Sequence, residues 1–273
     1  MENMLDRLKS HWHEYLMEAV GLGGFMVGAS LLTTLLEHPD LFVMESRLGY
    51  HPLLRRIPLG LALGVYIVAI VYFFGKRSGA HINPAVTAAF WRLGKIDTWN
   101  AAFYICAQFI GATLAALLMT ALLGELYKHP SIHYATTVPG PGAHGAEKAF
   151  IAEFIISFVL MFVVLIAVSS HRLEKFAGTL TALLIAIYLV VETPYSGMSL
   201  NPARSFGSAF AAGEWRDLWI YFTAPVLAML LAAEVFVRIK RRWLHQASWF
   251  KESPHYPVED ASQLASRNHS PVM

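Results

Sequence analysis

A single cysteine, Cys106, in 273 residues excludes an internal disulfide framework and any cysteine-based metal cluster. Charge is scarce too. Asp, Glu, Lys and Arg make up 15% of the chain against 56% hydrophobic residues, and mean hydropathy is +0.47, too apolar for an ordinary soluble domain. The opening residues, MENMLDRLKSHWHEY, lack the basic n-region and small-residue cleavage site of a signal peptide and read as retained. No nucleophile–base pair or metal constellation occurs, which argues against an enzyme and against a cofactor or metal. His129, His133 and His144 have neither helical spacing nor a neighbouring cysteine, and the stretch around them reads as a solvated outer linker. No nucleic-acid partner is expected; the partner is a lipid bilayer.

What is present is a set of apolar runs. Six approach the ~20 residues that a membrane-crossing helix needs: about 15–36, 57–75, 101–123, 150–169, 176–192 and 218–237. With a cytoplasmic N-terminus, Arg7, Lys9, Lys76, Arg77, Arg92, Lys95, Arg172, Lys175 and the Arg238–Arg242 cluster fall inside, while Arg47, Arg55, Arg56, Lys128, Lys148, Arg204 and Arg216 fall outside. The bias favours that orientation. Residues 1–14 then form a cytoplasmic N-terminus and the polar 246–273 a cytoplasmic tail, with both termini on one side. The 47–56 loop and the tail are candidates for gating.

The chain repeats itself. SGAHINPAV at 78–86 and SGMSLNPAR at 196–204 pair Ser78 with Ser196, Gly79 with Gly197, Asn83 with Asn201 and Pro84 with Pro202, with Ile82 facing Leu200. Glu18 in the first span and Glu153 in the fourth pair likewise. The repeats are 15–125 and 148–245, joined by a loop at 126–147, with re-entrant loops at 76–95 and 193–212. Three spans per half place the second half in the opposite sense, which makes the repeat inverted. Asn is a favoured N-cap and Pro fits the first helical turn, so each motif starts a half-helix too short to cross. The two half-helices would enter from opposite faces and meet near the midplane. Non-helical backbone at that depth must be buried in protein or line a water-filled cavity. The fold expected is therefore an all-α membrane protein of six transmembrane helices plus two re-entrant half-helices.

Those two motifs, in this setting, make the chain similar to the aquaporin (major intrinsic protein) family over about 15–240. NPARSFGSAF at 201–210, with Ser205 after the arginine, and the Tyr221–Phe222 pair resemble the water-conducting branch in particular. The resemblance implies a passive channel that conducts water and excludes protons and ions, assembled as a homotetramer in the plasma membrane. It also implies roles for single residues. Asn83 and Asn201 donate to a passing water, and two half-helix dipoles make the junction positive. Arg204 is the constriction arginine. Glu18 and Glu153, intramembrane carboxylates and so functional suspects by default, accept hydrogen bonds from the re-entrant loops; a proton relay is the competing role. His81 orients its loop, and Gln108 bonds across helices.

The same resemblance points to a constriction of Leu63, 20 residues before Asn83, Met198, six before Arg204, and Leu189, nine further back. The water-conducting branch has an aromatic at the first position and His at the last. An aliphatic set beside one arginine implies a wider or less polar opening, and hence a broader channel for small neutral solutes such as glycerol, ammonia or hydrogen peroxide as the alternative. A proton-coupled transporter and a membrane-junction protein are the distant alternatives.

Overall fold

The computed structural model describes residues 4–41 and 52–251. Residues 47–51 of the 47–56 loop and 252–273 of the tail, the two gating candidates, thus lie outside the described residues. In chain order the helices are α1 (Met4–Glu37), α2 (Pro52–Ser78), the short α3 (Pro84–Arg92), α4 (Thr98–Leu123), the one-turn α5 (Glu125–Lys128), α6 (Gly145–Val168), α7 (Ala177–Val191), the one-turn α8 (Thr193–Ser196), the short α9 (Pro202–Ala212) and α10 (Leu218–Lys251).

Six of them, α1, α2, α4, α6, α7 and α10, are long and apolar enough to cross a membrane, and each overlies one of the runs read from the sequence. Two boundaries differ from those runs by more than ten residues. The first helix begins at Met4, before the apolar run, and changes direction at His11, where φ is −119°. The last continues to Lys251, past the expected boundary at 245.

At 1.5 Å per residue, α3 and α9 are about 14 and 17 Å long, roughly half of a ~30 Å hydrocarbon core. Their starts are set by sequence. Asn83 and Asn201 lie in extended backbone, and their side chains accept hydrogen bonds from Ala85 N and from Ala203 N and Arg204 N respectively, with proline in the first turn of each helix. The end of α9 is a left-handed glycine, Gly213 at φ 68°, which closes a helix without the steric cost a side chain would bring.

Packing follows the repeat. In each half the first and third spans pair, α1 with α4 and α6 with α10, while the second spans, α2 and α7, pair with each other across the halves. Each half-helix seats on the third span of the opposite half: α9 on α4, and α3 on α10. Arg92 at the end of α3 pairs with Glu234 on α10. Small residues permit these crossings, as is usual where lipid supplies no hydrophobic drive between helices. A methyl at Gly111 would overlap the Ala19 carbonyl of α1, and one at Gly207 would press on the Ala112 backbone of α4.

The segment after α5 departs from the solvated linker expected of it. Tyr127, Ile132 and Ala135 are buried with Met119, the Tyr127 and Ser30 hydroxyls share a 2.6 Å hydrogen bond, and Gly140 N donates to Tyr195 O at 2.8 Å. Its apolar residues have a core to join, so it folds back between α1 and the second re-entrant loop.

Candidate functional site: two re-entrant loops and an adjoining cavity

Both loops follow the same backbone path into their half-helices. Gly79, Ala80 and Ile82 have φ of 80°, 47° and 42°, and Gly197, Met198 and Leu200 have φ of 77°, 52° and 60°. The left-handed region costs a non-glycine residue roughly 1–2 kcal/mol, so four side-chain-bearing residues hold it only because neighbouring groups fix them.

Two carboxylates supply that fixation. Glu18 on α1 accepts from Ser78 Oγ at 2.8 Å, from His81 N at 2.9 Å and from Ile82 N. Glu153 on α6 accepts from Ser196 Oγ at 2.6 Å, Ser199 N at 2.7 Å and Leu200 N at 2.8 Å. The two serines pass the constraint on, accepting from Ala80 N at 3.0 Å and Met198 N at 3.1 Å. Two tyrosines complete the symmetry: Tyr104 OH donates to Ser78 O at 2.8 Å, and Tyr221 OH to Ser196 O at 2.6 Å. Both carboxylates are fully buried and spend their lone pairs on fixed donors, an arrangement that holds backbone and leaves little for proton transfer.

Around the first loop, Gln108 Nε2 donates to Glu18 Oε2 at 2.8 Å and to Thr87 Oγ1 at 3.1 Å. His81 lies 3.1 Å from Thr87 Oγ1 and stacks on Phe90. Ser205 shares hydrogen bonds with Ser199 and with Thr137.

The loops meet at the asparagines. Asn83 Nδ2 donates to Leu200 O at 2.8 Å, and Asn201 Nδ2 to Ile82 O at 2.7 Å. Each half-helix thus abuts the residue that precedes the other's N-cap, which brings two positive helix ends together. The family resemblance implies an amide N–H of each asparagine directed toward a passing solute. In the structure one of its two N–H groups is already committed to the facing loop.

A cavity of about 330 Å³ adjoins this junction, and Leu63, Leu189, Met198 and Arg204 all line it. The four residues singled out for a constriction come together there, from α2, α7, the second loop and α9. Asn83, Asn201, His81, Glu18 and Glu153 are not part of its lining. Arg204 is only 8% exposed, and Nη1 reaches Ser208 Oγ at 3.4 Å. Glu37 at the end of α1 and Arg55 and Arg56 at the start of α2 also line the cavity. It therefore opens on the face opposite the N-terminus of α1. Ser131, Ile132, Ala135 and Thr136 from the folded-back segment complete its wall.

Two participants went unread in the sequence. Tyr104 looks like any aromatic in an apolar run, and only the register against Tyr221 relates the two. Glu192 is buried, and neither carboxylate oxygen makes a hydrogen bond of normal length and angle, Ser196 and Met198 N being the donors beside it. The repeat alignment puts Phe74 opposite it, and an acid facing an aromatic across an otherwise matched repeat is the signal that marks it.

Comparison with known proteins follows the geometry. The profile of the family described as "Major intrinsic protein" matches residues 9–236. The chain is 34% identical over 180 residues to Aquaporin NIP3-1 of Oryza sativa subsp. japonica, an alignment covering 66% of this chain and 56% of that protein. It is also 34% identical over 208 residues to Aquaporin NIP2-2 of Zea mays, covering 76% and 64%. The chain thus spans less than two thirds of the length of these relatives. Among solved structures, the X-ray structure of the aquaglyceroporin from Plasmodium falciparum superposes with a TM-score of 0.65 at 23% identity, covering 84% of this chain and 94% of that one. At that identity the likeness is one of fold.

Proposed function

The chain belongs to the major intrinsic protein family, and on that premise we propose that it is a passive channel for small uncharged solutes, water and glycerol among them, that excludes protons and ions. The carrying observation is the cavity where Leu63, Leu189 and Met198 meet Arg204. Three aliphatic or thioether walls and one guanidinium offer little to hydrogen-bond beyond the arginine's own donors. Such an opening sorts by size and charge more than by hydrogen-bond pattern. A solute with carbon surface can lie against the aliphatic side while its hydroxyls meet Arg204. The family names of the relatives, aquaporins and an aquaglyceroporin, agree with a neutral-solute range wider than water alone.

Strict water selection is the second reading, and Ser205 after the arginine favours it. That support and the Tyr221 part of the Tyr221–Phe222 pair weaken, because the Tyr221 hydroxyl is occupied with Ser196 O and Ser205 with Thr137 and Ser199. Both are accounted for by loop support without reference to the solute.

In this proposal Arg204 supplies a fixed positive charge that repels cations. The abutting N-termini of α3 and α9 add about half a charge each, and Asn83 and Asn201 orient water at the junction. Glu18, Glu153 and His81 hold the loops. A homotetramer in the plasma membrane with both termini cytoplasmic completes the reading, supported by the family resemblance and by the Lys and Arg distribution along the chain.

The test is light-scattering stopped flow on proteoliposomes, first with an impermeant osmolyte and then with glycerol. Fast shrinkage in both, with reswelling in glycerol well above that of empty vesicles, is the expected result. Shrinkage without protein-dependent reswelling in glycerol would return the protein to water selection, and no protein-dependent flux of either kind would remove the channel reading.

A further inference from the structure

The cavity in front of Arg204 carries more positive charge than a path for neutral solutes requires. Arg55, Arg56 and Arg204 line it against one acid, Glu37. Glu37 is already matched, since Arg55 Nη1 stands 3.0 Å from its Oε2. Arg56 makes no ion pair among the described residues, and the nearest side-chain partner of the buried Arg204 is the Ser208 hydroxyl at 3.4 Å. The half-buried Arg56 and the buried Arg204 thus line one cavity that sets three guanidinium groups against the single carboxylate of Glu37, an excess of positive charge that an anion would relieve. The wall also carries an aliphatic side, with Leu59, Leu63, Leu189 and Met198 all buried, and hydroxyls at Thr33, Ser131, Thr136 and Thr193.

We infer that this vestibule is a binding site for a short-chain carboxylate, and that its occupancy obstructs the channel. The inference rests on the reading above that the cavity is the channel's mouth. The planar guanidinium fork matches a carboxylate in a way that a spherical halide cannot. The aliphatic wall takes the alkyl tail. A volume of about 330 Å³ holds roughly eleven waters at ~30 Å³ each, room for butanoate with some of its hydration. A carboxylate seated between Arg56 and Arg204 fills the space that a neutral solute must cross.

The experiment uses the full chain in proteoliposomes equilibrated on both sides with sodium chloride, acetate, propanoate or butanoate at matched ionic strength. The pH is alkaline, so that the acids are ionised, and shrinkage is triggered with sucrose. Butanoate should lower water permeability saturably, followed by propanoate and then acetate. Each added methylene should tighten the half-inhibitory concentration by up to about fourfold, the value of one fully buried methylene. Arg56→Gln should weaken the butanoate effect by about tenfold, the worth of one charge-assisted hydrogen bond, and Arg56→Lys, which keeps the charge and loses the fork, should weaken it less. Chloride acting as strongly as butanoate would reduce the effect to screening and overturn the site. So would an equal half-inhibitory concentration in the wild type and in both variants, or in Arg56→Lys alone if Arg56→Gln does not conduct. A wild type that passes no water in chloride defeats the channel reading, whereas one that conducts in chloride and ignores butanoate defeats the carboxylate site alone.

Discussion

Asn83 Nδ2 donates to the carbonyl oxygen of Leu200 at 2.8 Å, across 117 positions of the chain, while its own Oδ1 caps α3. Asn201 does the same in reverse through Ile82 O and Ala203 N. Each asparagine therefore starts one helix and clasps the opposite loop. Asn201→Ala removes both contacts, about 1 kcal/mol for the cap and about 1 more for the buried hydrogen bond. The thermal midpoint in detergent should fall and water flux per molecule should drop with it. An unmoved midpoint would show that the clasp carries no stability.

Arg204→Val tests the charge barrier. Valine removes the fixed positive charge and leaves the aliphatic walls in place. Water permeability should stay near the wild-type value while protons or small cations begin to leak. Vesicles loaded with a pH dye, or a voltage-clamped bilayer, read the leak directly. No increase would move the barrier to the junction of α3 and α9.

Leu63→Trp tests the sieve. Leu63 lines the cavity and also lies near Gly28 of α1, so a ring there narrows the opening from the α2 side. Glycerol or ammonia flux should fall by a larger factor than water flux at equal protein content, because bulk stops a wide solute before single-file water. Equal losses would mean that the fold, and not the aperture, was disturbed.

The two neighbouring buried acids should respond in opposite ways to the same change. Glu153→Gln replaces one of the oxygens that hold Ser196, Ser199 N and Leu200 N with a donor facing donors, at a cost of about 2 kcal/mol or more. Glu192→Gln removes an acid that makes no hydrogen bond of normal length and angle, and should leave stability within about 1 kcal/mol of the wild type or raise it. Thermal unfolding followed by tryptophan fluorescence separates the two. Similar losses in both would refute the division of roles.

The spans, the half-helices and the repeat were legible because each leaves a signal along the chain: apolar runs of membrane length, Asn-Pro at a helix start, and a motif written twice. Leu63, Leu189 and Met198 could be proposed by offset from the motifs, and the structure brings all of them to one cavity with Arg204. What could not be read depends on contacts between distant segments. The pull of Tyr127 and Ile132 into a core under the folded-back segment needed the position of Met119. The commitment of an asparagine N–H to the facing loop needed the two halves docked. The partnership of Tyr104 with Ser78 leaves no trace in an apolar run, because a tyrosine hydroxyl has no periodicity.

The order in which these groups leave a ribosome adds a consequence of the paired carboxylates. Glu18 precedes its Ser78 partner by 60 residues and Glu153 precedes Ser196 by 43, so each acceptor is already placed when its loop is made. Each half can seat its own loop during synthesis. The asparagine clasps, 117 and 119 residues apart in sequence, wait for the second loop, while the seating of α3 on α10 and the Tyr221 bond to Ser196 O wait for the last span. A chain arrested before α10 would hold both loops but leave α3 without its seat and Ser196 O without Tyr221, so it would sit in the bilayer without yet being a walled conduit.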